Sequence, residues 1–119
     1  MRVAVSGTRR TSEKDIRYIW TVFDFLHDKY EIDTILHGGA TGVDALADEW
    51  ADENDISVER YEALWQKYGR SAGPQRNAAM LASDVEFWIA FPRSDSTGTN
   101  DFIEKARKAG IPGEVYPII

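Results

Sequence analysis

The stretch Ile35-Leu36-His37-Gly38-Gly39-Ala40-Thr41-Gly42-Val43-Asp44-Ala45-Leu46-Ala47 decides the fold. Residues 33–37 carry a short apolar run and read as a buried strand. Glycines at 38, 39 and 42 make a tight turn, and Val43, Leu46, Ala47 and Trp50 then recur at helical spacing over about 42–54. Strand, glycine-rich turn and helix in that order form a βα unit. Glycines let backbone N–H groups approach an anion, and a helix N-terminus adds a favourable dipole. The turn is neither G-x-G-x-x-G nor a Walker A loop. Glycines also serve a plain turn that needs positive φ. The strand–turn–helix context favours the anion-binding reading, through the amides of Gly39, Ala40, Thr41 and Gly42 beside Gly38.

Outward from this unit the pattern repeats. Val3-Ala4-Val5 in residues 2–6 is a second buried strand, ending at Gly7. Ile16, Ile19, Trp20, Phe23 and Leu26 mark an amphipathic helix over 12–29, with Ser12 and Asp15 at capping-box spacing. A weaker strand at 57–61 precedes an aperiodic segment, 62–72, read as a loop. Pro74 suits the first turn of a helix over about 73–83. Residues 85–91 are the strongest strand, 92–98 a loop, and 99–109 a helix stopped by Gly110 and Pro112. Residues 114–118 are a last strand, with Pro117 marking a sheet edge. Strands alternating with helices predict a mostly parallel α/β sheet of about five strands, helices on both faces, in one domain over 1–119.

Composition removes several classes. The 119 residues hold 43% hydrophobic side chains and no cysteine, which excludes disulfide scaffolds, thiolate metal sites and cysteine nucleophiles. Two histidines, His27 and His37, are too few for a histidine metal cluster, so no metal is expected. His27 reads as a solvated surface residue, and His37 as a structural histidine rather than a base. No stretch reaches the ~18 apolar residues of a membrane span. The N-terminus reads as a strand rather than a leader, so the expected location is the cytoplasm. Net charge −6 makes duplex DNA a poor partner, because such binding rests on neutralised phosphates.

In a parallel sheet the strand-to-helix loops emerge on one edge, where ligands bind. Residues 7–10, 38–44, 62–76 and 92–101 should therefore converge. Five of the nine arginines, Arg9, Arg10, Arg70, Arg76 and Arg93, lie in these segments. Their forked guanidinium groups suit phosphate or carboxylate oxygens. Ser96, Thr97 and Thr99 can offer hydroxyls, and the Gly98 and Thr99 amides can face a second anion; Thr97 or Thr99 can equally be an N-cap. Asp44 and Asp101 each open a helix, where the dipole favours a carboxylate; Asp44 can also serve a ribose or a water, and Asp101 an acid/base role. Trp65 and Tyr68 can stack on a base or pack the loop onto the sheet. Trp20, Trp50 and Trp88 read as core.

At these residues the chain resembles the YspA/cpYpsA-related branch of the SLOG superfamily. The resemblance rests on the segment from His37 to Asp44 followed by Ala47, on Gly73-Pro74-Gln75-Arg76-Asn77, on Gly98-Thr99, and on Ser6-Gly7-Thr8-Arg9. It implies a Rossmann-like three-layer domain, related to the LOG nucleotide hydrolases and to DNA-processing protein A. It also implies a nucleotide-type ligand, such as a nucleoside phosphate or a relative of NAD or ADP-ribose. No other cofactor is expected. Ligand contacts would come from Gly7, Thr8, Arg9, Arg76, Asn77, Gly98 and Thr99, together with the glycine turn and Asp44. By comparison with LOG enzymes, Arg76 and Asp101 would be the catalytic pair of an N-glycosidic-bond hydrolase of nucleoside monophosphates. The paired-glycine start of the LOG turn is here Pro92-Arg93-Ser94, and aspartate replaces the LOG glutamate. The leading expectation is therefore binding of a small nucleotide, as a sensor or processing domain, with hydrolysis as the alternative. Single-stranded nucleic acid is a third candidate if a homo-oligomer aligns the arginines.

Overall fold

The computed structural model describes residues Met1–Ile119. Val3, Ala4 and Val5 are fully buried, as an uninterrupted apolar run requires when both faces of a strand are covered. This strand, β1 (Arg2–Gly7), lies at the centre of the sheet. The others are β2 (Thr34–His37), β3 (Ser57–Arg60), β4 (Phe87–Phe91) and β5 (Gly113–Val115), in the order β3-β2-β1-β4-β5. All four pairings are parallel, with Val3 opposite both Ile35 and Phe87.

Side-chain alternation along the strands sorts the core into two layers. Val3, Val5, Ile35, Phe87, Ile89 and Phe91 face α1 (Glu13–Tyr30) and α2 (Val43–Glu53). Ala4, Leu36, Trp88 and Ala90 face α4 (Ala72–Leu81) and α5 (Thr97–Lys108). The result is the three-layer arrangement predicted from the alternation of elements. No helix is long and apolar enough to cross a membrane.

Local chemistry sets the boundaries. α1 begins with a reciprocal capping box: Asp15 N–H donates to Ser12 Oγ at 3.2 Å, and Ser12 N–H to Asp15 Oδ2 at 2.9 Å. The segment predicted as a loop at 62–72 contains a one-turn helix, α3 (Trp65–Tyr68), and a 3-10 turn, Gly69–Ser71, running into α4. One turn is too short to show a period. α5 starts at Thr97, earlier than expected, because Ser96 accepts Arg93 N–H on its hydroxyl and turns the chain there.

β5 lies N-terminal to its predicted place. A Cβ at Gly113 would fall 2.1 Å from the Trp88 indole, so only glycine lets this strand lie against Trp88. Pro117, which lacks an N–H, falls beyond the strand, between Tyr116 and Ile118, whose amides donate to Ala90 and Pro92. His27 is not simply solvated: Nδ1 accepts Ile32 N–H at 3.0 Å, and the ring meets Trp50 edge-on.

Candidate functional site

The chain runs outward from β1 through β2 to the edge strand β3 and then crosses to β4 on the other side of β1, so the switch point lies between β1 and β4. At their C-terminal ends is a cavity of about 520 Å³. That volume is the size of a small-ligand site, in the place where open parallel sheets bind ligands. Its wall draws on all four converging segments: Gly7, Thr8 and Arg9 after β1; Ala40 and Asp44 after β2; Trp65, Arg70, Gly73 and Arg76 from the α3–α4 region; and Ser96, Thr97, Gly98, Thr99 and Asp101 around the start of α5.

The glycine turn is built around Asp44. Its Oδ2 accepts the amides of Gly38, at 3.1 Å, and Ala40, at 3.2 Å. Gly39 N–H donates to His37 Nδ1 at 2.9 Å, leaving His37 Nε2–H for Asp48 at 3.0 Å. His37 is thus a satisfied structural histidine, and Asp48, one helical turn beyond Asp44, is a partner the sequence reading missed. Two of the four turn amides expected to face an anion, those of Gly39 and Ala40, are engaged within the protein, as is that of Gly38. Those of Thr41 and Gly42 have no protein acceptor. Gly42, with φ +73°, sits so close to β1 that a Cβ would lie 2.3 Å from the Thr8 carbonyl oxygen.

Asp44 is almost wholly buried and its Oδ1 has no partner. Burial raises its pKa above the ordinary carboxylate range, against the pull of the Ala40 amide and the nearby His37 and Arg76. The helix dipole, invoked from sequence to favour its charge, is outweighed by desolvation.

Arg76 reaches over the turn. Its Nη1 donates to the Gly38 carbonyl at 3.0 Å, and a Cβ on Gly38 would lie 2.0 Å from the same nitrogen. Its Nε donates to Asn77 Oδ1 at 2.9 Å. Burial lowers the Arg76 pKa, opposed by Asp44 and Asp101. Asn77, expected to contact ligand, is buried behind the wall and positions other groups: Nδ2 donates to the Gly98 carbonyl at 3.2 Å and to Asp101 Oδ2 at 3.0 Å. Asp101 also receives Lys105 Nζ at 2.5 Å, so both its oxygens are engaged.

The cations divide into two groups. Arg93 pairs with Asp15 at 2.6 Å and does not line the cavity; it ties the loop after β4 to the cap of α1. Arg10 pairs with Asp95 at 2.6 Å at the exposed rim. Arg9 and Arg70 line the cavity and pair with no carboxylate. Trp65 is half exposed at the cavity wall, over Gly73, whose missing side chain leaves room for the indole. Tyr68 stands outside that wall, beneath Lys67.

Comparison with known proteins bears on the family and the fold. Residues 1–68 match the model of the YspA, cpYpsA-related SLOG family. The Gene 61 protein of Mycobacterium phage D29 is 35% identical over 117 residues, covering 93% of this chain and 92% of that protein. Among solved structures, DNA processing protein A from Streptococcus pneumoniae superposes with a TM-score of 0.75 at 20% identity. The match covers 99% of this chain and half of that one. The structural-genomics protein TM1055 superposes with a TM-score of 0.71 at 17% identity, over 94% of this chain and 71% of that one. The two structures share the fold, and the sequence matches supply the lineage: this chain belongs to the YspA, cpYpsA-related SLOG family.

Proposed function

We propose that the chain binds a nucleotide or nucleotide-derived ligand in the switch-point cavity. The observation that carries this reading is the pair of unpartnered guanidinium groups, Arg9 and Arg70, on the wall of one cavity in a chain of net charge −6. An acidic protein that leaves two arginines unpaired beside Arg76 is arranged for an anion with several oxygens, and phosphate is the anion such forks suit. The free amides of Thr41 and Gly42, and the Gly98–Thr99 turn, would supply further donors. Trp65 would cover the base. A cavity of about 520 Å³ suits one nucleotide better than a polymer track.

The reading is binding rather than base release. Asp101, the carboxylate that a LOG-type hydrolysis would use with Arg76, is already held by Lys105 and Asn77. DNA processing protein A is named for acting on DNA, which makes a single-stranded oligonucleotide the natural competitor in the test.

The experiment combines two steps. Small molecules released on denaturing the purified protein are identified by mass spectrometry, and nucleoside phosphates and a short oligonucleotide are then titrated by calorimetry. We expect a nucleotide to bind, and Arg9→Ala to weaken it by about 10- to 150-fold, the range for a charge-assisted contact. Its melting temperature should stay unchanged, since Arg9 forms no ion pair. No bound nucleotide in either step, or an oligonucleotide preferred over every mononucleotide, overturns the reading.

A further inference from the structure

We propose that the buried carboxylate of Asp44 is the receptor for a ribose hydroxyl, making this a site for ribonucleotides in preference to deoxyribonucleotides. The inference rests on the nucleotide-binding reading above. Its own foundation is the unequal state of the two oxygens of Asp44. Oδ2 is saturated by the Gly38 and Ala40 amides, whereas Oδ1 has no partner, although the residue is 6% exposed and forms part of the cavity wall. A buried carboxylate oxygen without a donor is costly, and on a residue that lines the cavity a donor from the ligand would relieve that cost.

The chemistry of that donor is narrow. A phosphate at neutral pH presents acceptors and a negative charge, so it belongs with Arg9, Arg70 and Arg76. A base stacked on Trp65 lies at a half-exposed indole. The remaining part of a nucleotide, between the two, is the sugar, and its hydroxyls are neutral donors. Oδ1 is closed to solvent, so a ligand reaches it as the soft terminal torsion of the aspartate turns that oxygen toward the cavity while the Gly38 and Ala40 amides follow Oδ2. Gly38 keeps a side chain away from this region, since a Cβ there would meet both Arg76 and Asp44.

The test is a cycle between protein and ligand. AMP, GMP, CMP and UMP, with their 2′-deoxy and 3′-deoxy counterparts, are titrated into wild type and into Asp44→Asn. The asparagine can keep its oxygen on the two turn amides while turning a donor toward the ligand, so the loop geometry survives and the acceptor is lost. We expect wild type to prefer the ribonucleotide over at least one deoxy form by about 10- to 100-fold, and Asp44→Asn to lose that preference. Equal affinity of wild type for ribo and deoxy forms overturns the proposal and leaves nucleotide binding standing. A preference that persists in Asp44→Asn also overturns it, since the hydroxyl is then read elsewhere. If none of the nucleotides binds wild type, the nucleotide reading fails and this inference with it. The comparison of ligands on wild type decides the matter even if the variant does not fold.

Discussion

The two ends of the sheet use the same residue types to opposite ends. At the N-terminal edge the cations are answered. The Met1 ammonium meets Asp33 at 2.7 Å, and Arg2 forks onto Glu59 at 2.6 and 2.9 Å while also donating to the Ser83 carbonyl. At the C-terminal edge Arg9 and Arg70 have no carboxylate, and one oxygen of Asp44 has no donor. The C-terminal edge pairs its outer arginines, Arg10 with Asp95 and Arg93 with Asp15, and keeps its unanswered groups on the cavity wall. Substitutions can break that comparison or sharpen it.

The largest effect is expected at Gly42. Its φ of +73° is strained for any L side chain, and the added Cβ would press on the backbone of Thr8, which cannot yield as a side chain would. Gly42→Ala should therefore lose about 3 kcal/mol or more of stability and lower the melting temperature by roughly 10 °C. Calorimetric melting measures it, and an unchanged transition would mean the turn is free to move away from β1. Gly38→Ala, four residues earlier in the same turn, should behave differently. Its Cβ would meet the end of the Arg76 side chain, a flexible arm that swings aside. We expect nucleotide affinity to fall by about 10-fold while the melting temperature shifts by only a few degrees. If Gly38→Ala melts like Gly42→Ala and still binds normally, the division of labour within the turn is wrong.

These two glycines also show what the sequence can and cannot disclose. The βα unit was legible because a strand, a glycine turn and a helical period follow one another. The capping box at Ser12 and Asp15 was legible for the same reason: its partners lie three residues apart. Contacts between distant segments left no such trace. Its position after β4 groups Arg93 with the anion-binding arginines, yet it is committed to Asp15, 78 positions away. Asp44 was read as a helix-start carboxylate, but its use as the inner clamp of the turn depends on how tightly the chain wraps back from Gly38. The start of β5 was set by Trp88 lying over Gly113, again a pairing across the fold. The convergence of segments on one edge came from topology. Which arginines remain unpaired there came only from the packed structure.

The smallest predicted effect tests the settled end. Hydrogen bonding to Arg2 holds the Glu59 carboxyl below the ordinary glutamate range, with help from Tyr61 and against desolvation. A depressed acid contributes stability that is full above its unfolded pKa, about 4.3, and is lost as pH falls through the folded value. Asp15 and Asp33, also depressed, act in the same direction; they are held by the Ser12 amide and the N-terminal ammonium. Asp44 acts oppositely: burial raises its pKa, so its ionisation weakens the fold as pH rises. The Arg2–Glu59 side chains are 26% and 40% exposed, and solvent screening keeps their pairing near the surface range, about 1 kcal/mol. Glu59→Gln should therefore cost about 1 kcal/mol at pH 7 and progressively less as pH falls through the folded pKa of Glu59, where wild type loses the charge as well. Urea unfolding across a series of acidic pH values measures the trend. Asp44→Asn in the same series should show the reverse trend, gaining relative to wild type as pH rises. Nucleotide affinity should not change in Glu59→Gln, because Glu59 is absent from the cavity wall. A pH-independent loss would mean that the pair acts through packing rather than charge, and a loss of affinity would mean that the two ends of the sheet are coupled.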